Sequence, residues 1–189
     1  YIQPADLTQA LATGARSRGA EIYRNTTVVG MKQNKGGWVV ETDKGAIECE
    51  HVISCSGNFA RQTGKMVGLE IPAIPVQHQF IVTEPHPEIQ KRKKEGLPEM
   101  GVLRDSDNAW YMREEAGGLL LGPYEKGAPC CYVDGPSKDS EYELFQEDLD
   151  RLAPHIEGAI FRVPAFGEVG VKKVYNGAIC YTPDGNPIV

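Results

Sequence analysis

Val76, His78, Phe80 and Val82 recur at every second position of the stretch 76–83, which reads Val-Gln-His-Gln-Phe-Ile-Val-Thr. Prolines bound it on both sides, Pro72 and Pro75 before, Pro85 and Pro87 after. Period-two spacing between such breakers predicts a strand with those four side chains on one face. An imidazole is thereby set among apolar neighbours. In that setting it is either a core histidine satisfied by its neighbours or a neutral ring held for chemistry.

The same reading extends along the chain. Leu7, Ala10, Leu11 and Ala15 repeat at helical spacing behind Pro4, and Gly19 ends the helix. Residues 20–23 and 26–31 read as strands, and 38–42 and 46–49 complete a three-stranded meander with glycine at its turns. Residues 51–54 form a short apolar run that passes into Cys55, Ser56 and Gly57, with Asn58 ready to cap a helix over 59–66. Such a turn lets backbone approach a ligand phosphate or sugar, or simply joins strand to helix.

After residue 72 the pattern is that of antiparallel sheet. Strands are predicted at 102–104, 110–114 and 119–122, then at 171–175 and 178–181 around an Asn176-Gly177 turn. On the middle strand Tyr111 and Arg113 share one face, Trp110 and Met112 the other. Ser140-Glu141-Tyr142-Glu143 reads as a capping box. Tyr142, Phe145, Leu149, Leu152 and Ile156 follow as one helical stripe, with Pro154 expected to bend or restart the helix. The fold class is α+β: an antiparallel sheet with flanking helices, joined to a partial domain that carries the meander. The expected boundaries are 1–71, 72–181, and a return segment over 182–189.

Composition narrows the function classes. Of 189 residues 41% are hydrophobic and 24% charged, which fits a packed domain. The net charge of -6 excludes a general nucleic-acid binder, and the run Lys91-Arg92-Lys93-Lys94 reads as a solvated face. No apolar run is long enough for a membrane span. The five cysteines show neither C-x-x-C spacing nor a disulfide framework, so no metal site is expected and a reducing compartment is the simplest reading. The chain opens at Tyr1 without an initiator methionine, so an excised piece of a longer protein is expected.

Several landmarks stand in a specific order: Gly14-Ala15-Arg16-x-x-Gly19-Ala20, Thr26-x-Val28, and Val52-Ile53-Ser54-Cys55-Ser56-Gly57. Pro75-Val76-x-His78-Gln79-Phe80, Leu103-Arg104-Asp105, Tyr111-Met112-Arg113-Glu114 and Gly122-Pro123-Tyr124-Glu125 follow, and Tyr181-Thr182-Pro183-Asp184-Gly185 closes the series. With these the chain resembles the glycine-oxidase-like (DAO) FAD-dependent oxidoreductases, most of all the dimethylglycine and sarcosine dehydrogenases. The family's G-x-G-x-x-G turn is absent from these residues, as are its flavin-attachment and folate-binding segments. Where the family often has Tyr after His-Gln, this chain has Phe80.

The resemblance implies residues 1–71 as part of a Rossmann-like FAD domain and 72–181 as the substrate domain. It implies oxidation of a small secondary or tertiary amino acid by hydride transfer to flavin, with folate and an electron acceptor as further partners. The compartment is cytoplasmic, or the mitochondrial matrix in a eukaryote. His78 and Tyr111 take the positions of the family's active-site pair, expected on adjacent strands facing one cavity. Arg113 is set to meet the substrate carboxylate, or else pairs with Glu114 or Glu115. Val28, Ser56 and Gly57 match places that pass close to FAD, which these residues alone are not expected to hold tightly. The other readings are a D-amino-acid or glycine oxidase, and a non-catalytic binding or assembly domain.

Overall fold

The computed structural model describes residues 2–188, which fall into two compact units. The first runs up to Ser56 and takes in Gln62–Ile71; the second holds Gly57–Arg61 and the described chain from Pro72 onward. Gly57–Arg61 thus group with the second unit, and residues 182–188 remain in it.

In the first unit, helix α1 (Pro4–Arg16) begins with Pro4 in its first turn and buries no residue. Leu7 and Leu11 of its apolar stripe are exposed. Strands β1 (Val28–Asn34), β2 (Gly37–Thr42) and β3 (Gly45–Cys49) form an antiparallel meander. Its first turn closes over Lys35 and Gly36, the glycine at φ 87°. A positive φ at the second turn position is one that glycine adopts without steric cost. A bulge lies between Val28 and Gly30. Residues 20–23 and 51–54, both expected as strands, join no sheet, and Ile53 is 86% exposed. A strand needs a neighbour to take its amides, and none of the described strands runs beside either segment. The division between the units falls within helix α2 (Ala60–Lys65).

The second unit is built on one sheet. Strand β4 (Ile74–Thr83) is the predicted stretch and leads to helix α3 (Pro87–Lys94), whose last turn carries the basic run. Strands β5 (Leu103–Asp105), β6 (Trp110–Glu115) and β7 (Gly118–Pro123) follow, then helix α4 (Leu149–Arg162) and strand β8 (Val171–Tyr181). The spatial order is β5–β6–β7–β4–β8. Pairing is antiparallel throughout. Ile81, Trp110, Met112, Leu119 and Leu121 form its inner face and pack on Leu152 and Ala159 of α4, Ile89 of α3 and Phe166. Each large side chain buried there contributes about 1.5–3 kcal/mol.

Two predicted elements differ. The helix expected from residue 140 begins only at Leu149, because the backbone before it is engaged elsewhere. Phe145 N donates to Asn176 O at 2.8 Å and Asp148 N donates to Gln79 Oε1 at 2.7 Å. Asp148 is the cap instead, accepting from Arg151 N at 3.1 Å. Pro154 lies inside α4, which runs on to Arg162 with Leu152 and Ala159 fully buried. Asn176-Gly177 is no turn either. β8 is one strand that pairs with β4 from Tyr181 opposite Ile74 to Val171 opposite Thr83. The Asn176 amide is buried and donates to Gln77 Oε1 and to Gln146 O, which holds it within the ladder.

Candidate functional site

The site is the open face of the second unit's sheet. Alternation along β4 puts Gln79, Ile81 and Thr83 into the interior and turns His78, Phe80 and Val82 the other way. Val82 pairs with Leu120 of β7, which shares its face with Gly122, and Gly122 pairs with Tyr111 of β6. On the other side Phe80 pairs with Tyr175 and His78 with Gly177 of β8. His78, Tyr111 and Arg113 therefore stand on one face of one sheet. The strands that carry His78 and Tyr111 are not adjacent: β7 lies between β4 and β6. The tight Ala116-Gly117 turn, with both residues in the left-handed region, obliges β7 to lie beside β6.

Gly122 fills that gap with no side chain. A Cβ there would collide with the Tyr111 ring, so the tyrosine lies flat across β7. Tyr124 lies 5.9 Å from Tyr111, centroid to centroid. Phe80 stacks on Tyr175 at 4.7 Å, and Tyr181 tilts against His78 at 5.6 Å. The face is thus aromatic around one imidazole.

Burial holds the His78 ring below its usual pKa. The Glu125 carboxylate and the Pro123 carbonyl oppose that shift, while Arg151 and His155 add to it. The ring is neutral at pH 7. Burial, then Tyr124, push the Tyr111 phenol up, against Arg113, so it is protonated and can donate a hydrogen bond. Among the described residues its hydroxyl has no hydrogen-bond partner in the protein. Arg113 is partly buried, ion-paired with Glu115, and donates to Glu114 O at 3.1 Å.

Three residues of this region were not singled out by sequence reasoning. Glu125 is buried and accepts from Gln79 N at 2.6 Å and Gln79 Nε2 at 3.0 Å, with Arg151 Nε at 3.4 Å. It fills the place where β7 has left β4 and the Gln79 amide would lose its acceptor. Asn176 is the second such anchor. The third is Arg104, directly opposite Tyr111 on β5 and therefore on the open face. Strand alternation within Leu103-Arg104-Asp105 was a usable signal for Arg104. Glu125 stands in the landmark Gly122-Pro123-Tyr124-Glu125, which by itself gave it no role.

The chain matches the DAO family, described as FAD dependent oxidoreductase, over residues 1–189. It belongs to that family. Among curated relatives of the DAO chain, the mitochondrial dimethylglycine dehydrogenase of Rattus norvegicus is 40% identical over 195 residues, covering all of this chain and 22% of that protein. The mitochondrial sarcosine dehydrogenase of Mus musculus is 31% identical, again over all of this chain and 20% of its own length. The mitochondrial pyruvate dehydrogenase phosphatase regulatory subunit of Mus musculus is 31% identical over 97% of the chain and 20% of its own length. The chain thus spans about a fifth of the length of the curated relatives it matches. In fold it is similar to L-proline dehydrogenase from P. horikoshii, with a TM-score of 0.73 at 23% identity over 97% of this chain and 45% of that one.

Family membership implies FAD, and a dinucleotide needs backbone amides turned toward its phosphates. Gly57 has φ 54°, and no atom lies within 4 Å of a Cβ built there. Residues 51–55 lie in no helix or strand. Val28 sits beside the bulge on an edge strand. Each is a place where backbone is open to a ligand, Val28 and residues 51–56 in the first unit and Gly57 in the second. They supply no cluster of amides for a pyrophosphate.

Proposed function

We propose that this chain is part of a longer flavoenzyme that oxidises a small N-methylated amino acid of the dimethylglycine or sarcosine type. The single observation that carries the reading is the common face of His78 and Tyr111: a neutral imidazole and a protonated phenol, set among aromatic rings. The 40% and 31% identities to dimethylglycine and sarcosine dehydrogenases support it.

FAD, when bound, accepts the hydride. The residues of this chain prepare the substrate. An ammonium has no lone pair to assist hydride loss, so the amine must first give up its proton. His78, neutral at pH 7, takes that proton or holds the amine by a hydrogen bond. The Tyr111 hydroxyl donates to the substrate and fixes its orientation. The rings of Phe80, Tyr175 and Tyr181 keep water away from the neutral amine. Arg113 adds positive charge at the carboxylate end, tempered by Glu115. Val28 and Ser56 of the first unit, and separately Gly57 of the second, are the residues that would meet the cofactor through backbone. The iminium product would be hydrolysed or would pass its one-carbon unit to folate, with an electron acceptor as a further partner of the whole enzyme. The mitochondrial relatives favour the matrix, and no described helix is long and apolar enough to cross a membrane.

A second reading rests on the similarity to the phosphatase regulatory subunit: a member of this family serving as a binding or assembly part. Anaerobic mixing of the full-length protein with a panel of amines separates the two. Bleaching of the flavin by N-methylated glycines, faster than by glycine or D-amino acids, is expected. Bleaching by glycine or D-amino acids alone indicates an oxidase of the other substrate class. A flavin that no amine reduces supports the binding role.

A further inference from the structure

We infer that Arg104, with the hydroxyls of Tyr124 and Tyr111, forms the carboxylate-binding site on the open face of the sheet. The inference rests on the amino-acid substrate proposed above and moves the carboxylate contact from Arg113 to a residue on the neighbouring strand.

Arg104 pairs across the ladder with Tyr111, so both side chains leave the same face of the sheet. Its Nη2 donates to the Tyr124 hydroxyl at 3.1 Å, and its guanidinium carbon lies 5.5 Å from the centroid of the same ring. The Tyr124 ring is in turn 5.9 Å from Tyr111. One guanidinium and two phenols are therefore gathered at one spot.

Every polar group in this cluster is a donor. Tyr124 uses its oxygen to accept from Arg104, which leaves its own O–H to donate onward. The Tyr111 O–H makes no protein hydrogen bond among the described residues. No acidic side chain pairs with Arg104 among the described residues. The neighbouring Asp105 points to the other face, where Arg162 Nε meets it at 3.1 Å. Arg113 is the contrast, since Glu115 already answers its charge. A guanidinium that meets no carboxylate among the described residues, beside two O–H groups free to donate, is the complement of a planar anion with several acceptor lone pairs, which is a carboxylate. Placed beside Tyr111, that carboxylate directs the substrate's amine along the face toward β4.

The test uses the full-length flavoprotein with FAD bound, as wild type, Arg104→Met, Arg104→Lys and Arg113→Met. Two quantities are read. One is KM for an N-methylated glycine and for the same amine without its carboxylate. The other is the Kd of a short carboxylate carrying no amine, such as methoxyacetate, titrated by its perturbation of the flavin spectrum. Arg104→Met is expected to raise KM for the carboxylated amine and Kd for methoxyacetate together by about thirty-fold, the scale of a lost charge-assisted contact. KM for the decarboxylated amine should hold, and Arg104→Lys should recover part of the loss. The inference is overturned if Arg104→Met leaves the methoxyacetate Kd unchanged. Loss confined to Arg113→Met, or an equal loss for amines with and without a carboxylate, also overturns it. Methoxyacetate binding that depends on Arg104 in a protein that oxidises no amine would uphold the site while removing the proposed reaction. Absence of methoxyacetate binding to wild type removes the site itself.

Discussion

His78 and Tyr111 each answer two chemistries that single-residue changes pull apart. If His78 serves as base or anchor, His78→Asn in the full-length enzyme should lower turnover by about two orders of magnitude. Steady-state kinetics checks this, with circular dichroism to confirm that the fold persists. Because burial lowers the His78 pKa from its ordinary 6.5, the folded protein binds that proton less readily than the unfolded chain. Its contribution to stability is therefore fully present above pH 6.5 and is lost as the pH falls through the lower folded value. The acid limb of the kcat/KM profile should likewise lie below 6.5 and should disappear in His78→Asn. A limb that persists unchanged would assign it to another group. Tyr111→Phe removes one oxygen that has no hydrogen-bond partner among the described residues, so its melting temperature should stay within a degree or two of wild type. Its kcat/KM should fall at least tenfold, about 1.4 kcal/mol of transition-state binding. Retained efficiency would leave Tyr111 as packing alone.

At the level of elements, β7 and the segment after it set the geometry of the face. Gly122→Ala would push a methyl group into the Tyr111 ring. The ring must leave its place across β7, at about 1–3 kcal/mol. The kcat/KM of Gly122→Ala should fall at least as far as in Tyr111→Phe, and combining the two changes should give less than the sum of their effects. Strictly additive losses in that double-mutant cycle would detach Gly122 from Tyr111. Glu125 does for β4 what a strand would do, since it takes up the Gln79 amide beyond the last β7 pair. Glu125→Ala leaves the Gln79 amide without its acceptor in the interior and leaves Arg151 with Asp148 as its one remaining carboxylate among the described residues. A loss of about 1–3 kcal/mol, read from urea unfolding, is the expected scale for leaving a buried donor unsatisfied. A loss below about 1 kcal/mol would mean that water replaces the carboxylate.

At the scale of the whole molecule, the first unit leaves Leu7, Leu11, Ile22, Val29, Ile47 and Ile53 exposed, with Val40 the buried hydrophobic of its described sheet. Apolar positions at helical and strand spacing are used for packing, so we expect these faces to be covered in the full-length protein. The isolated chain, which has no G-x-G-x-x-G turn, should purify without stoichiometric FAD. Visible absorption and flavin released on denaturation check this, and a yellow protein holding one flavin per chain would overturn it.

Period and breakers in the sequence were enough for the meander, the strand at 76–83, the hairpin of β6 and β7, and the parity that separates Tyr111 and Arg113 from Trp110 and Met112. All of these are local: alternation and turn chemistry act over a few residues. The landmarks carried family membership for the same reason, since order and spacing are properties of the chain. What the sequence could not contain was which backbone groups were already engaged from afar. Residues 140–148 carry a helix pattern, but Gln79 and Asn176, distant in sequence, take their amides and carbonyls. Asn176-Gly177 has a turn composition, yet the β4 ladder and the buried amide keep it extended. The same holds at the site. Parity put Tyr111 and Arg113 on one face, but only the sheet order set β7 and its bare Gly122 between Tyr111 and His78. Only side-chain pairing showed that Glu115 neutralises Arg113 while Arg104 meets no carboxylate among the described residues. Strand order and ion pairing are long-range contacts, decided by the free energy of the assembled core and not by any local pattern.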